Sequence, residues 1–156
     1  MPFGSGYNAL VIAPPAALLA GALLVGFLLD LIWPMGFVPE GYSFPVGFSL
    51  IFIAVNLMAF SAKEMIRIKT TLFLQTPAAD LATSGAFAWS RNPIYLGMVL
   101  LCGGIAVFAN SLWFLLLTAA LGAILQKGVI APEEAYLERR FGKRYLDYKA
   151  RVRRWI

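Results

Sequence analysis

The sequence predicts an all-α, polytopic membrane protein with about four transmembrane helices and a C-terminal amphipathic cytosolic helix. Three observations predict it. Of the 156 residues 60% are hydrophobic and only 13% charged, well off the balance of a water-soluble domain. Three long stretches carry no formal charge at all: Ala9 to Leu29, Tyr42 to Phe60, and residues 92 to 126. The net charge of +5 lies in the tail, where residues 127 to 156 hold nine Lys and Arg against four acids, while residues 1 to 126 hold four of each.

The first run has 21 residues, enough for a helix to cross a hydrocarbon core of ~30 Å. Pro14 and Pro15 start or bend it. No Lys or Arg precedes it, and it exceeds the roughly 7 to 15 residues of a signal-peptide core, so it reads as a retained anchor. The segment "WPMGFVPEGY" at 33 to 42 is rich in turn formers and lacks positive charge. The second run, of 19 residues, is followed at once by Lys63, Arg67 and Lys69. Positive charge marks the cytosolic side, which puts the 33 to 42 loop outside and the N-terminus inside. The first two helices are read as a hairpin.

The third run, 35 residues long, would extend ~52 Å as one straight helix, too long for a single crossing. "FANS" at 108 to 111 supplies a turn that divides it, so Arg91 and Lys127 return to the same cytosolic side. In the tail, Glu133, Leu137, Phe141, Tyr145, Tyr148 and Val152 are spaced by 4, 4, 4, 3 and 4, which aligns them on one helical face; Gly142 interrupts that face with a kink or a break. These boundaries describe a single membrane domain: a hairpin at 1–62, a cytosolic loop at 63–91, a second hairpin at 92–130 and an amphipathic tail at 131–156.

The inventory excludes several chemistries. The chain has no histidine and one cysteine, Cys102, which rules out disulfides within the chain, structural zinc and His-dependent triads, and no metal site is expected. Most aromatics lie in apolar runs, so the basic tail points to anionic membrane lipids and not to nucleic acid.

Two polar constellations remain. In "SRNPIYLG" at 90 to 97, Asn92 reads as N-cap and Pro93 as the first helical residue. The N–H groups of Ile94, Tyr95 and Leu96 would then lack helical partners and, with Arg91, form an anion site. A capped helix whose arginine reaches toward lipid headgroups explains the same residues. In "PEE" at 132 to 134, Pro132 would start a helix whose dipole keeps Glu133 and Glu134 ionised, suited to accepting bonds from hydroxyls or balancing a cation. Dipole complementation alone accounts for them, and taken in isolation the stretch favours that reading. The hairpin between Arg91 and Glu133 brings the two ends together, and a zwitterionic cofactor with a ribose would satisfy both.

These stretches, "TSGAFAWSRNPIYLGMVL" followed by "EEAYLERRFGKRYLDYKARVRRWI", resemble the isoprenylcysteine carboxyl methyltransferase and phospholipid methyltransferase superfamily of integral membrane enzymes over residues 70 to 156. The resemblance implies an S-adenosyl-L-methionine-dependent methyltransferase at the cytosolic face of the cell (inner) membrane, acting on a lipophilic small-molecule or lipid acceptor. Carried over, Gly85, Arg91, Asn92, Pro93, Tyr95, Leu96 and Gly97 belong to the first cofactor motif. Glu133, Glu134, Leu137, Phe141, Tyr145 and Tyr148 belong to the second, with Arg91 and Glu133 as the catalytic pair. Asn92 replaces the histidine of the prenylcysteine enzymes, a departure that argues against prenylcysteine itself. A dipole-held carboxylate is a poor base, which favours a carboxylate or thiol acceptor over an amine. Two alternatives compete: an NADPH-dependent enzyme like the sterol reductases, and a non-enzymatic four-helix membrane protein.

Overall fold

The computed structural model describes residues 11–39, 41–68 and 80–156. The expected helix start at Ala9, the flanking Lys69 and the first ten residues of the family resemblance lie outside them. Six α-helices follow in order: α1 (Pro15–Ile32), α2 (Ser43–Arg67), α3 (Pro93–Phe108), α4 (Leu112–Leu125), α5 (Ala131–Phe141) and α6 (Lys143–Arg151). A short 3-10 turn at Gly85–Ala88 precedes α3. Among the described residues there is no strand, and the all-α membrane architecture stands. Three helical stretches are long and apolar enough to cross a membrane: Pro15–Ile32, Ser43–Arg67 and Leu112–Phe141; Pro93–Phe108 is a shorter apolar helix of 16 residues.

The helices are held by close approach of small residues. α2 lies along α3, where a side chain at Gly47 would strike the Phe108 backbone and one at Gly104 would strike Ile51 and Leu50. Ala54 is fully buried in the same seam. Between apolar helices in lipid there is little hydrophobic gain from association, so tight backbone contact does the work. α1 rests mainly on α4, with a lesser contact to α3. The first two helices therefore find their chief partners in the second hairpin and not in each other. Phe27, Leu31, Phe44, Phe48, Phe52 and Phe60 are exposed, a surface that only a lipid environment solvates well.

The turn expected at "FANS" is present, and Asn110 adopts φ +49° within it. Its side chain joins the two loops at that end: Oδ1 accepts the N–H groups of Phe37 and Val38 at 2.8 and 2.7 Å, and Nδ2 donates to the Val38 carbonyl. The Leu112 N–H and the Trp113 indole add bonds to the carbonyls of Met35 and Trp33.

At the other end the structure departs from the sequence reading. Pro132 does not start a helix. α4 continues through a π-helical segment, Gln126–Ile130, into α5 as one stretch from Leu112 to Phe141. A proline inside a helix leaves the carbonyl four residues before it without its usual donor. Here that carbonyl belongs to Gly128 and accepts the Ile12 N–H at 3.1 Å. Gly128 is needed for this contact, because a Cβ there would lie 2.4 Å from the Ile12 side chain. The π segment is one extra residue's worth of winding and rotates α5 relative to α4, as π-bulges near functional sites do. The tail itself breaks at Gly142, with φ +52°, into α5 and α6. The apolar stripe survives the break: Leu137, Phe141 and Val152 pack around the buried Leu81, Tyr145 and Tyr148.

Candidate active site

The site grows from the start of α3. Pro93 is fully buried at the first helical position, as its fixed φ favours. Asn92 stands at the N-cap but does not cap with its side chain; Nδ2 donates to the Arg154 carbonyl at 3.1 Å instead. The Leu96 N–H bonds the Asn92 carbonyl at 2.9 Å, so of the three amides expected to be free, this one is engaged within the helix. The anion site as first drawn is therefore narrower, and its charge comes from Arg91.

The Arg91 and Glu134 side chains are 9% and 7% exposed and pair at 3.2 Å, Nη2 to Oε1. Arg154 grips the same carboxylate from the other side, Nη2 to Oε2 at 2.6 Å and Nε to Oε1 at 3.2 Å. That pairing raises the Arg154 pKa above its ordinary value. The Tyr95 hydroxyl donates to Glu133 Oε2 at 2.8 Å. Each acid of the pair thus meets a residue of the first motif across the hairpin. Neither stands at a free helix N-terminus, because the helix runs through Pro132. No helix dipole therefore holds these carboxylates ionised, and an amine acceptor is not disfavoured on that ground.

Tyr145 and Tyr148 are buried and meet edge to face with ring centroids 6.3 Å apart. The Tyr148 hydroxyl donates to the Phe87 carbonyl at 2.7 Å. Burial pushes the pKa of both phenols up; nearby Glu134 adds to the rise at Tyr145, and Arg91 opposes it at both. Three buried polar atoms in this neighbourhood have no hydrogen-bond partner among the described residues: Nε and Nη1 of Arg91, and the Tyr145 hydroxyl. Buried donors without partners are uncommon in folded proteins and mark a place where a further polar group fits.

The other expected residues are placed differently. Gly85, at φ +61°, opens the 3-10 turn and lines a groove of about 380 Å³ with Lys63, Glu64, Arg67 and Trp89; neither Arg91 nor either acid of the pair lines it. Gly97 faces α2, where a Cβ would lie 2.4 Å from Met58 and 3.2 Å from the Ala54 carbonyl. Its smallness serves helix packing. Leu96, Leu137 and Phe141 are partly buried, the last two in the tyrosine cluster. Sequence reasoning missed Arg154 and Ser90. The Ser90 hydroxyl bonds the Arg154 carbonyl and accepts the Asn92 N–H, and nothing in a generally basic tail singles out Arg154.

The sequence pattern of the phospholipid methyltransferase family matches residues 42–144, which contain α2, α3, α4, α5 and both acids. The chain belongs to that family. As a phospholipid methyltransferase family member it falls in the superfamily of integral membrane methyltransferases, in agreement with the resemblance carried by its two motifs. No curated protein and no solved structure matches the chain.

Proposed function

We propose that the protein transfers a methyl group from S-adenosyl-L-methionine to a lipophilic or membrane-embedded acceptor at the cytosolic face of the cell membrane, with both chain termini on that side. The observation that carries this reading is the closure of the two motif segments on one another. Arg91 pairs with Glu134, Tyr95 with Glu133, and two nitrogens of the buried Arg91 guanidinium have no partner among the described residues, nor has the nearby Tyr145 hydroxyl. That donor set fits a carboxylate.

On this reading Arg91 holds the methionine carboxylate. Glu134 is already shared by two arginines, so bonds from ribose hydroxyls fall to Glu133. Tyr145 and Tyr148 offer aromatic surface to the adenine or to the acceptor. Bound sulfonium supplies a methyl group that is already activated for in-line displacement, so the protein contributes chiefly positioning. A lipid amine must lose a proton on methylation, and on that branch Glu133, which accepts a hydrogen bond from Tyr95, takes the proton in place of binding the ribose. A carboxylate acceptor needs no base. Membership in a phospholipid methyltransferase family favours a lipid acceptor.

Calorimetry of S-adenosylhomocysteine binding to the detergent-purified protein, beside NADPH, tests the reading. The expected result is a Kd on the order of micromolar for S-adenosylhomocysteine. Arg91→Ala and Glu133→Ala abolish it while remaining folded by thermal unfolding. Binding of NADPH alone, or binding indifferent to both substitutions, overturns it.

A further inference from the structure

We infer that Arg154, ten positions past the end of the 42–144 family match, is a positioning residue that keeps Arg91 available to an anionic ligand. The inference rests on the methyltransferase reading for the identity of that ligand, and its structural basis is independent of it.

Arg154 touches both halves of the site. Its backbone carbonyl accepts the side chains of Asn92 and Ser90, and the neighbouring Arg153 carbonyl accepts the Arg91 N–H at 3.0 Å. Its guanidinium forks onto Glu134 through Nε and Nη2. The segment after α6 is therefore stapled to the turn before α3 by backbone and to α5 by charge. The consequence is electrostatic. One carboxylate is shared between two guanidinium groups, which leaves this triad with a net positive charge. Arg91 contacts Glu134 through Nη2, and its Nε and Nη1 have no partner among the described residues. A carboxylate released from Arg154 is free to turn onto Arg91, take up two parallel N–H bonds and neutralise it, since that bidentate arrangement is the preferred one for an arginine and a carboxylate. Holding Glu134 away from that pose is what Arg154 does.

The test is calorimetric titration of S-adenosylhomocysteine into the full-length, detergent-purified protein and its variants, well below their unfolding temperatures. Arg154→Ala is expected to weaken binding about tenfold, the effect of one charge-assisted contact. Arg154→Lys keeps the charge without the fork, recovers part of the loss, and serves as the folded alternative should the alanine variant be unstable. Lys149→Ala, which removes an equal charge from an exposed pair with Glu138, is expected to leave binding within about twofold. The decisive comparison is made in a Glu134→Gln background, where no carboxylate remains to quench Arg91 and Arg154→Ala should change little. If the parent protein binds and Arg154→Ala binds equally well, the inference fails and the methyltransferase reading stands. An undiminished loss in the Glu134→Gln background makes Arg154 a structural latch alone and also overturns it. Absence of binding to the parent protein removes the reading itself, and this inference with it.

Discussion

Glu134→Gln preserves the size of a buried side chain and removes its charge, and the structure indicates what that does to stability. Among the described residues Glu134 is the anionic partner of Arg91, and the two side chains are 7% and 9% exposed. After the substitution the Arg91 guanidinium loses that counter-ion, while two of its nitrogens already have no partner among the described residues. Breaking a buried ion pair from one side costs roughly 3–5 kcal/mol. Arg154 is 35% exposed and can rehydrate, so its lost contact adds little. The lower end, about 3 kcal/mol, is the expected value. For a chain of this length that corresponds to a fall of roughly 6–12 °C in the unfolding temperature, measured by tryptophan fluorescence in detergent. Removing the stranded charge as well, in Arg91→Met with Glu134→Gln, should bring the protein back toward the parent, because replacing a whole buried pair is far milder than halving it. A fall below about 2 °C for Glu134→Gln, or a double variant less stable than the single one, would mean that Arg91 does not depend on Glu134 as a buried counter-ion.

Two further outcomes follow from the packing. Gly47→Ala places a Cβ 2.4 Å from the backbone nitrogen of Phe108, which cannot rotate away, and is expected to destabilise by about 1–3 kcal/mol in thermal unfolding. Gly21→Ala meets nothing within 4 Å and should be neutral or slightly stabilising. Tyr148→Phe loses the bond to the buried Phe87 carbonyl and should cost about 1–2 kcal/mol. The tyrosines also set an alkaline limit. Burial raises both phenol pKa values, so above a pH of about 10 the unfolded chain loses protons that the folded one retains. The stability they confer is complete below that pH and is lost as pH rises further. An unfolding temperature that drops across this range in the parent, and drops less in Tyr145→Phe with Tyr148→Phe, is the expected result.

Much of this protein was legible from local pattern. Uncharged runs long enough to cross a bilayer located α1 and α2, and the turn residues 108 to 111 divided the third run where the chain does turn. Pro93 marked the start of α3, and the spacing of Leu137, Phe141, Tyr145, Tyr148 and Val152 marked the face that packs together, even across the break at Gly142. All these signals act within one or two helical turns, where hydropathy, backbone sterics and side-chain period decide the outcome. Pro132 misled because the same local chemistry that starts a helix is tolerated inside one when the freed carbonyl finds another donor. That donor, the Ile12 N–H, is 116 positions away from Gly128.

Local pattern was enough to specify a helical membrane protein with two motif segments at one end of a hairpin. Which residues of those segments meet was settled by the packing of the helices. Arg91 chose Glu134 and Tyr95 chose Glu133, across separations of 43 and 38 positions. Gly97 went to the seam with α2, Gly85 to a different groove, and Arg154 joined from a tail with no distinguishing pattern. Partner choice at such distances is set by how α3 packs, by the winding of the π segment, and by where a buried charge can find its counter-ion. None of these is a property of neighbouring residues.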